Sequence, residues 1–283
     1  MTGKREKRRN WKKAPAILAM LLVSVELLTP AGPGGAAREP AAAKARETTK
    51  IVNNERTARD ETTAAVKRAR ERTTVVVEEP FAPVPESEAV EDTYFEDAVF
   101  LGDSRTEGFQ LYSGLKTGTY LYSVGATVES VFSKRVWETP EGKASLLDAL
   151  AEIDCGKVYL MLGINELGWS KKETFHDQYA KVIDRVREDH PETEVVLQSI
   201  LPVSAKQDAK GSYVNNERIG VYNEVIRTLA EEKGCALVDV AEALAGKDGC
   251  LPAELNFDGI HLNPAGCKIW LDYLRTHSVA EAG

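Results

Sequence analysis

From Tyr94 onward, short apolar runs alternate with amphipathic stretches. Near-continuous apolar runs are typical of strands buried on both faces of a parallel sheet, whereas apolar positions three and four apart indicate helices. The alternation therefore predicts one three-layer α/β domain with a mostly five-stranded parallel sheet. The predicted strands lie at residues 98–101, 120–122, 158–162, 195–197 and 236–240.

Helical spacing is clearest in three stretches between and after these strands. Each has an apolar stripe along one face, as a helix packed on a sheet needs. The stripes are Phe175, Tyr179, Val182, Ile183 and Val186; then Ile219, Tyr222, Val225, Ile226 and Leu229; then Ile269, Trp270, Tyr273 and Leu274 in a last helix that begins near Pro264.

The start of the chain follows a different pattern. Seven basic residues between Lys4 and Lys13 precede an apolar run at 14–28 that contains Glu26. A basic segment before an apolar run of this length is typical of a secretory signal, and the run is short for a membrane-spanning helix. Residues 1–30 are therefore a signal peptide or an uncleaved signal anchor, and both remain open.

Residues 31–92 are predicted to be a flexible tether, basic and rich in proline, that leads to a folded domain at 93–283. The charge supports this division: residues 1–77 hold 17 Lys and Arg against 8 Asp and Glu, whereas the remainder holds 19 against 36. An acidic body argues against a nucleic-acid partner. We expect an exported monomer that is secreted or anchored to the cell membrane by its N-terminal helix.

Residues able to do acyl-transfer chemistry follow three predicted strands and occupy one late loop. Ser104 follows the first strand, Gly125 the second and Asn165 the third, while Asp258 and His261 lie near the end of the chain. A serine becomes a good nucleophile when a histidine accepts its proton, and the histidine needs a carboxylate to orient it. The backbone N–H groups of Ser104 and Gly125 and the amide of Asn165 are candidate donors to an oxyanion.

These residues, in this order, resemble the SGNH or GDSL hydrolase family over roughly residues 94–277. The resemblance implies that Ser104 is the nucleophile, His261 the base and Asp258 its orienting acid. It also implies an oxyanion hole made by Ser104, Gly125 and Asn165. The fold of that family is a flavodoxin-like α/β/α sandwich. The family uses no metal or organic cofactor, so none is expected.

Two residues depart from the family pattern. Arg105 stands where the first motif usually has Leu, and Glu166 stands where Asp commonly follows the motif asparagine. We expect both to line the pocket entrance and to contact substrate, together with Trp169, which could stack on a sugar ring or pack in the core. A first motif that ends in Arg-Thr resembles a subgroup of exported proteins from Gram-positive bacteria.

Four cysteines lie in the predicted domain, and four cysteines allow three pairings that sequence alone does not distinguish. Cys250 and Cys267 flank the loop of Asp258 and His261, so a bridge between them could brace that loop. Free buried thiols are the open alternative. The other two cysteines are Cys155 and Cys235.

Three functions remain open. The first is an extracytoplasmic esterase that removes an acetyl or other short acyl group from cell-wall or extracellular carbohydrate. The second is a lipase or acyltransferase that uses the same three residues, and the third is a non-catalytic envelope module that binds a glycan or a protein. Export and an acidic body favour the first, and the small polar segment 113–118 is unlike the apolar lid of a lipase.

Overall fold

The structure is a computed structural model that describes residues 81–279. Its centre is a parallel sheet with the strand order β2-β1-β5-β6-β7, and β3 and β4 form a separate antiparallel hairpin. The strands are β1 (Ala98–Gly102), β2 (Thr119–Tyr122), β3 (Trp137–Thr139), β4 (Gly142–Ala144), β5 (Lys157–Met161), β6 (Glu194–Gln198) and β7 (Ala236–Val238).

Helices cover both faces of the sheet, and short 3₁₀ turns occur at Asp92–Phe95 and Ala253–Leu255. One face packs against α3, α4 and α6, and the other against α1, α7 and α8. The helices are α1 (Ser104–Tyr112), α2 (Ser130–Ser133), α3 (Leu146–Leu150), α4 (Lys172–Asp189), α5 (Ala205–Asp208), α6 (Asn216–Lys233), α7 (Val240–Leu244) and α8 (Pro264–Thr276).

Successive side chains of a strand point to opposite faces of the sheet, and this explains why the sequence shows continuous apolar runs. In β1, Val99 and Leu101 enter the core on one face, while Ala98 and Phe100 enter the core on the other. A strand between two helical layers must be apolar at every position because both of its faces are buried. The three-layer α/β fold with five parallel strands is thereby confirmed.

The predicted elements match the observed ones to within one or two residues. The last predicted strand extended to Val240, but β7 ends at Val238, since α7 begins at Val240. Helix α8 begins at Pro264, where the side chain of Asn263 accepts hydrogen bonds from the N–H groups of Ala265 and Gly266. An asparagine cap followed by proline is a strong helix start signal.

The segment before the 3₁₀ turn lies against the domain. The N–H of Val84 donates to the carbonyl of Leu237 (2.8 Å), and the N–H of Val90 donates to the carbonyl of Arg275 (2.9 Å). The contacts of the domain thus begin before the boundary at 93 that the sequence indicates. The predicted signal segment and the tether up to residue 80 lie outside the described residues. Between residues 81 and 279, no helix is both long and apolar enough to cross a membrane.

All four cysteines lie within the described residues, and each is a free thiol. The Cys250 sulfur lies 3.4 Å from the side-chain amide of Asn216, and the Cys267 thiol donates to the carbonyl of Gly108. The bridge between Cys250 and Cys267 that could have braced the loop is therefore not formed. Burial raises the pKa of the Cys267 thiol to about 12.

Candidate active site

The site lies where three neighbouring strands end. Strands β2, β1 and β5 are adjacent and parallel, so their carboxyl ends meet at one edge of the sheet. Ligands of open α/β sheets bind at this edge. The structure therefore brings Gly125 after β2, Ser104 after β1 and Asn165 after β5 to the same region.

Ser104 is the first residue of α1, and the side chain of Asp103 caps that helix by accepting from the N–H of Arg105 (2.8 Å). The turn into the helix is tight. A side chain at Gly102 would collide with the Thr106 hydroxyl and the carbonyl of Met161, so glycine is required there. The position of Ser104 at a helix N-terminus leaves its backbone N–H available to an anion.

His261 contacts both Ser104 and Asp258. Its Nε2 atom lies 3.0 Å from the Ser104 hydroxyl, and its Nδ1 atom lies 2.8 Å from a carboxylate oxygen of Asp258. The other oxygen of Asp258 accepts from the backbone N–H groups of Ile260 and His261 (both 2.9 Å). With Nδ1 donating to Asp258, Nε2 is free to accept the serine proton.

Asp258 is held as an anion. Its partial burial acts to raise the pKa, but the hydrogen bonds from the backbone and ring of His261 outweigh burial and lower the pKa of Asp258 to about 2. The carboxylate is therefore ionised throughout the neutral range, as a group that orients an imidazole and stabilises its protonated form must be.

Gly125 and Asn165 lie on the loops that follow β2 and β5, the strands on either side of β1. Gly125 is exposed and has a φ of +73°, a left-handed conformation that favours glycine. The amide nitrogen of Asn165 donates to the carbonyl of Ala126 (2.8 Å). A side-chain amide has two N–H bonds, so the second remains available to a ligand.

Arg105 is not at a pocket entrance, contrary to the expectation from sequence. Only 3% of its surface is exposed, and its guanidinium donates to the carbonyl of Leu201 (2.9 Å). Burial lowers the pKa of Arg105 to about 10, with the carboxylates of Asp103 and Asp258 opposing the shift. The long side chain reaches inward from the first turn of α1, so its contacts are with the protein interior.

Glu166 is also buried, and its predicted place at the pocket entrance was wrong. Its surface is 0% exposed, and a carboxyl oxygen accepts from the N–H of Val128 (2.7 Å). Trp169 is half-buried and packs against the hydrophobic core, while its backbone N–H donates to the carbonyl of Glu166 (2.8 Å). The packing role for Trp169 is therefore the one that its contacts support.

Two exposed apolar side chains near the site, Val124 and Phe257, were not singled out from the sequence. Val124 precedes Gly125, and Phe257 precedes Asp258, and each is about 60% exposed. The ring of Tyr112 meets the ring of Phe257 edge to face, with 5.5 Å between the centroids. Adjacency to the candidate motifs was the signal that could have identified Val124 and Phe257.

A surface cavity of about 350 Å³ adjoins the loop of Asp258. Its lining combines apolar side chains with two lysines and two aspartates. Among its lining residues are Ser204, Lys206, Gln207, Lys210, Asn256 and Phe257.

The family model of the GDSL-like lipase/acylhydrolase family matches residues 100–269, a span that includes the whole site. The chain belongs to this family. The enzymes of this family cleave ester bonds, and the chain is accordingly a GDSL-type hydrolase. A comparison with curated proteins gave no significant match.

Several solved structures are similar to this chain. One is a protein from Streptococcus pneumonia that is described as a candidate platelet activating factor. It is 22% identical to this chain, and the match covers 81% of this chain and 97% of that protein. The TM-score is 0.52, and the two proteins share the fold. A GDSL-like lipase from Bacteroides thetaiotaomicron is 17% identical over 66% and 88%, with a TM-score of 0.49. An acetyl xylan esterase is 19% identical over 64% and 99%, with a TM-score of 0.48.

Proposed function

We propose that this GDSL-type hydrolase is an extracytoplasmic serine esterase that removes an acetyl or other short acyl group from cell-wall or extracellular carbohydrate. The observation that carries the catalytic part is the chain of hydrogen bonds from Ser104 through His261 to Asp258. It lies beside two loops that offer N–H donors, from Gly125 and Asn165.

The reaction proceeds through an acyl-enzyme. The hydroxyl oxygen of Ser104 attacks the ester carbonyl carbon while Nε2 of His261 takes the hydroxyl proton. The carbonyl oxygen becomes an oxyanion and accepts hydrogen bonds from the N–H groups of Ser104 and Gly125 and from the Asn165 amide. His261 then gives its proton to the departing alcohol oxygen, and the carbon–oxygen bond to that alcohol breaks.

Water completes the cycle. His261 takes a proton from water, the resulting hydroxide oxygen attacks the acyl carbon, and the same donors hold the second oxyanion. The bond to Ser104 breaks, the serine oxygen recovers the proton from His261, and the carboxylic acid leaves. Asp258 stabilises the protonated imidazole in both halves of the reaction.

The surroundings of the site support a carbohydrate-linked substrate. The cavity beside Asp258 carries lysine, aspartate and amide side chains, which can form hydrogen bonds with the hydroxyl groups of a glycan. The exposed rings of Tyr112 and Phe257 offer an apolar face on which a sugar ring can stack. A lipase would need a larger apolar surface for the acyl chain.

The proposed location rests on the sequence of the first 30 residues. The basic cluster from Lys4 to Lys13 resists translocation and stays in the cytoplasm, so everything after the apolar run is exported. The protein is then either secreted or held at the outer face of the cell membrane by its N-terminal helix. Digestion of the domain by protease added to intact cells would support this location, and protection until lysis would contradict it.

The experiment that tests the activity is a substrate screen on the full-length protein. Aryl acetates, longer aryl esters and acetylated glycans are compared for the wild type and Ser104→Ala, and Ser104 is labelled with a fluorophosphonate. We expect short acyl esters to be cleaved best and Ser104→Ala to be inactive while still folded. Preference for long chains would favour a lipase instead, and a wild type with neither turnover nor labelling would favour a binding module.

A further inference from the structure

Two adjacent residues join the loops that carry the oxyanion donors. Asn165 donates through its amide to the carbonyl of Ala126 (2.8 Å), and Glu166 accepts through its carboxyl group from the N–H of Val128 (2.7 Å). Gly125 lies on the loop so held, one residue before Ala126. The distance between the N–H of Gly125 and the amide of Asn165 therefore depends on this pair of hydrogen bonds.

Helix α6 holds the backbone of Glu166 and of the next residue in place. The hydroxyl of Tyr222 on α6 donates to the backbone carbonyl of Glu166 (2.8 Å). Arg218 on the same helix donates to the carbonyl of Leu167, the next residue. The side chain is fully buried, and its second carboxyl oxygen has no hydrogen-bond partner among residues 81–279. Burying a carboxyl group of which only one oxygen accepts a hydrogen bond costs much more free energy when the group is an anion than when it is a neutral acid.

We propose that Glu166 is a positioning residue that acts as a neutral acid and holds the loop of Gly125 against Asn165, so that the oxyanion donors keep their separation. This role rests on the proposed esterase function. It differs from direct catalysis because Glu166, being buried, contacts the loop of Gly125 rather than the reacting ester.

The charge of Asp103 favours the neutral form of Glu166. Asp103 faces it from the N-terminus of α1, Tyr179 faces it from α4, and Tyr222 lies on α6 with Arg218 nearby. Burial raises the pKa of Glu166 to about 8, and the charge of Asp103 adds to the shift, while the backbone N–H groups of Val128, Glu166 and Asn165 oppose it. The acid is therefore mostly protonated at neutral pH.

Ionisation of Glu166 should lower turnover. An anion next to Asn165 repels the negative charge that develops on the substrate oxygen, and in a buried site this repulsion is weakly screened. The turnover number kcat of the wild type should then fall on the alkaline side with an apparent pKa of about 8. The Michaelis constant should change little, since the repulsion acts on the transition state.

The test compares Glu166→Gln and Glu166→Ala with the wild type, as full-length proteins, on one aryl acetate between pH 5 and pH 10. Glutamine still accepts from Val128 but does not ionise. We expect Glu166→Gln to keep kcat at pH 7 within about threefold and to lose the alkaline fall. Glu166→Ala should lose about 10²-fold in kcat, comparable to the loss of one oxyanion donor, with KM nearly unchanged.

The matched control is Glu173→Gln, which removes an exposed carboxylate near Tyr222 that does not hold the loop. It should leave the alkaline fall in place. The proposal is overturned if Glu166→Gln shows the same alkaline fall as an active wild type, or if folded Glu166→Ala keeps its kcat. If Glu166→Ala does not fold, the pH profile of Glu166→Gln decides. A wild type that cleaves no ester and resists fluorophosphonate overturns the esterase function, and this role with it.

Discussion

The backbone N–H of Ser204 donates a 2.9 Å hydrogen bond to the carbonyl of Gly259, which lies between Asp258 and His261. The segment after β6 thereby holds the loop that presents the base. Gly259 has a φ of +93°, and a side chain there would meet the hydroxyl of Ser204 and the side chain of Gln207. The position of His261 thus depends on a close approach that glycine permits.

Gly259→Ala should lower kcat by about 10²-fold, because the added methyl group displaces the loop and a shift of about 1 Å in a reacting group has an effect of this size. The control is Gly249→Ala. Gly249 also has a positive φ of +76°, but a side chain there meets no atom within 4 Å. Both variants should lose about 1 kcal/mol of unfolding free energy from backbone strain, as measured in urea. Equal kcat values for the two variants would contradict the displacement.

Asp258→Asn should reduce kcat by up to about 10⁴-fold while the protein stays folded, since an amide favours the wrong tautomer of His261. The pKa of Asp258 lies at about 2, so the carboxylate stays ionised as the pH falls through the range in which histidines titrate. Loss of wild-type activity in that range should therefore come from a group other than Asp258. A rate that held constant down to pH 4 would argue against a histidine base.

Glu166→Gln should stabilise the protein increasingly as the pH rises. The pKa of Glu166 is about 8 in the folded chain against an ordinary 4.5, so between these values the folded wild type holds more protons than the unfolded chain. Wild-type stability is then lost progressively from about pH 4.5 to pH 8, and the glutamine variant escapes this loss, which amounts to a few kcal/mol. Urea unfolding at pH 4, 6 and 8 measures the difference, and an equal gap at all three would contradict the raised pKa.

Gly102→Ala should destabilise the domain, and Gly108→Ala should stabilise it. A methyl group at Gly102 collides with Thr106 and with the backbone of Met161, which costs about 1–3 kcal/mol as overpacking. Gly108 lies inside α1 with open space around it, so alanine there gains about 0.5–1 kcal/mol of helix stability. Thermal unfolding of the two variants should therefore shift in opposite directions.

The strand ends were predictable from the sequence because their signals are local. Ser104, Gly125 and Asn165 each lie three residues after the end of a predicted apolar run, and parallel strands bring such positions together. The late loop was found in a different way, from the short spacing of Asp258 and His261. Local patterns of this kind predicted the fold and the candidate triad.

The environment of the polar residues beside the motifs was not predictable. Arg105 and Glu166 turn inward and form hydrogen bonds with the carbonyl of Leu201 and the N–H of Val128. Both partners are distant in sequence, so a local pattern does not indicate these contacts. A hydrogen bond between backbone groups does not require particular side chains, so the sequence does not indicate the one from Val84 to Leu237. The hairpin of β3 and β4 has three residues in each strand and no long apolar run.

The last prediction concerns the exposed pair Tyr112 and Phe257 next to the loop of His261. If a sugar ring of a polymeric substrate stacks on Phe257, then Phe257→Ala should raise KM for an acetylated glycan by about fivefold, which corresponds to about 1 kcal/mol of ring contact. The same variant should leave kcat and KM for a small aryl acetate unchanged, because that ester needs only the reacting groups.

The matched control for Phe257→Ala is Leu111→Ala. Leu111 is 61% exposed, as Phe257 is 60% exposed, and it lies next to Tyr112 at the end of α1. As an aliphatic side chain it offers a sugar no aromatic face, so its removal should leave KM for the glycan unchanged. Equal effects of the two variants would indicate a general apolar contribution to binding, and no effect of Phe257→Ala would place the glycan on another side of the site. Steady-state kinetics on both substrates distinguishes these results, because a stacking contact affects KM for the polymer alone.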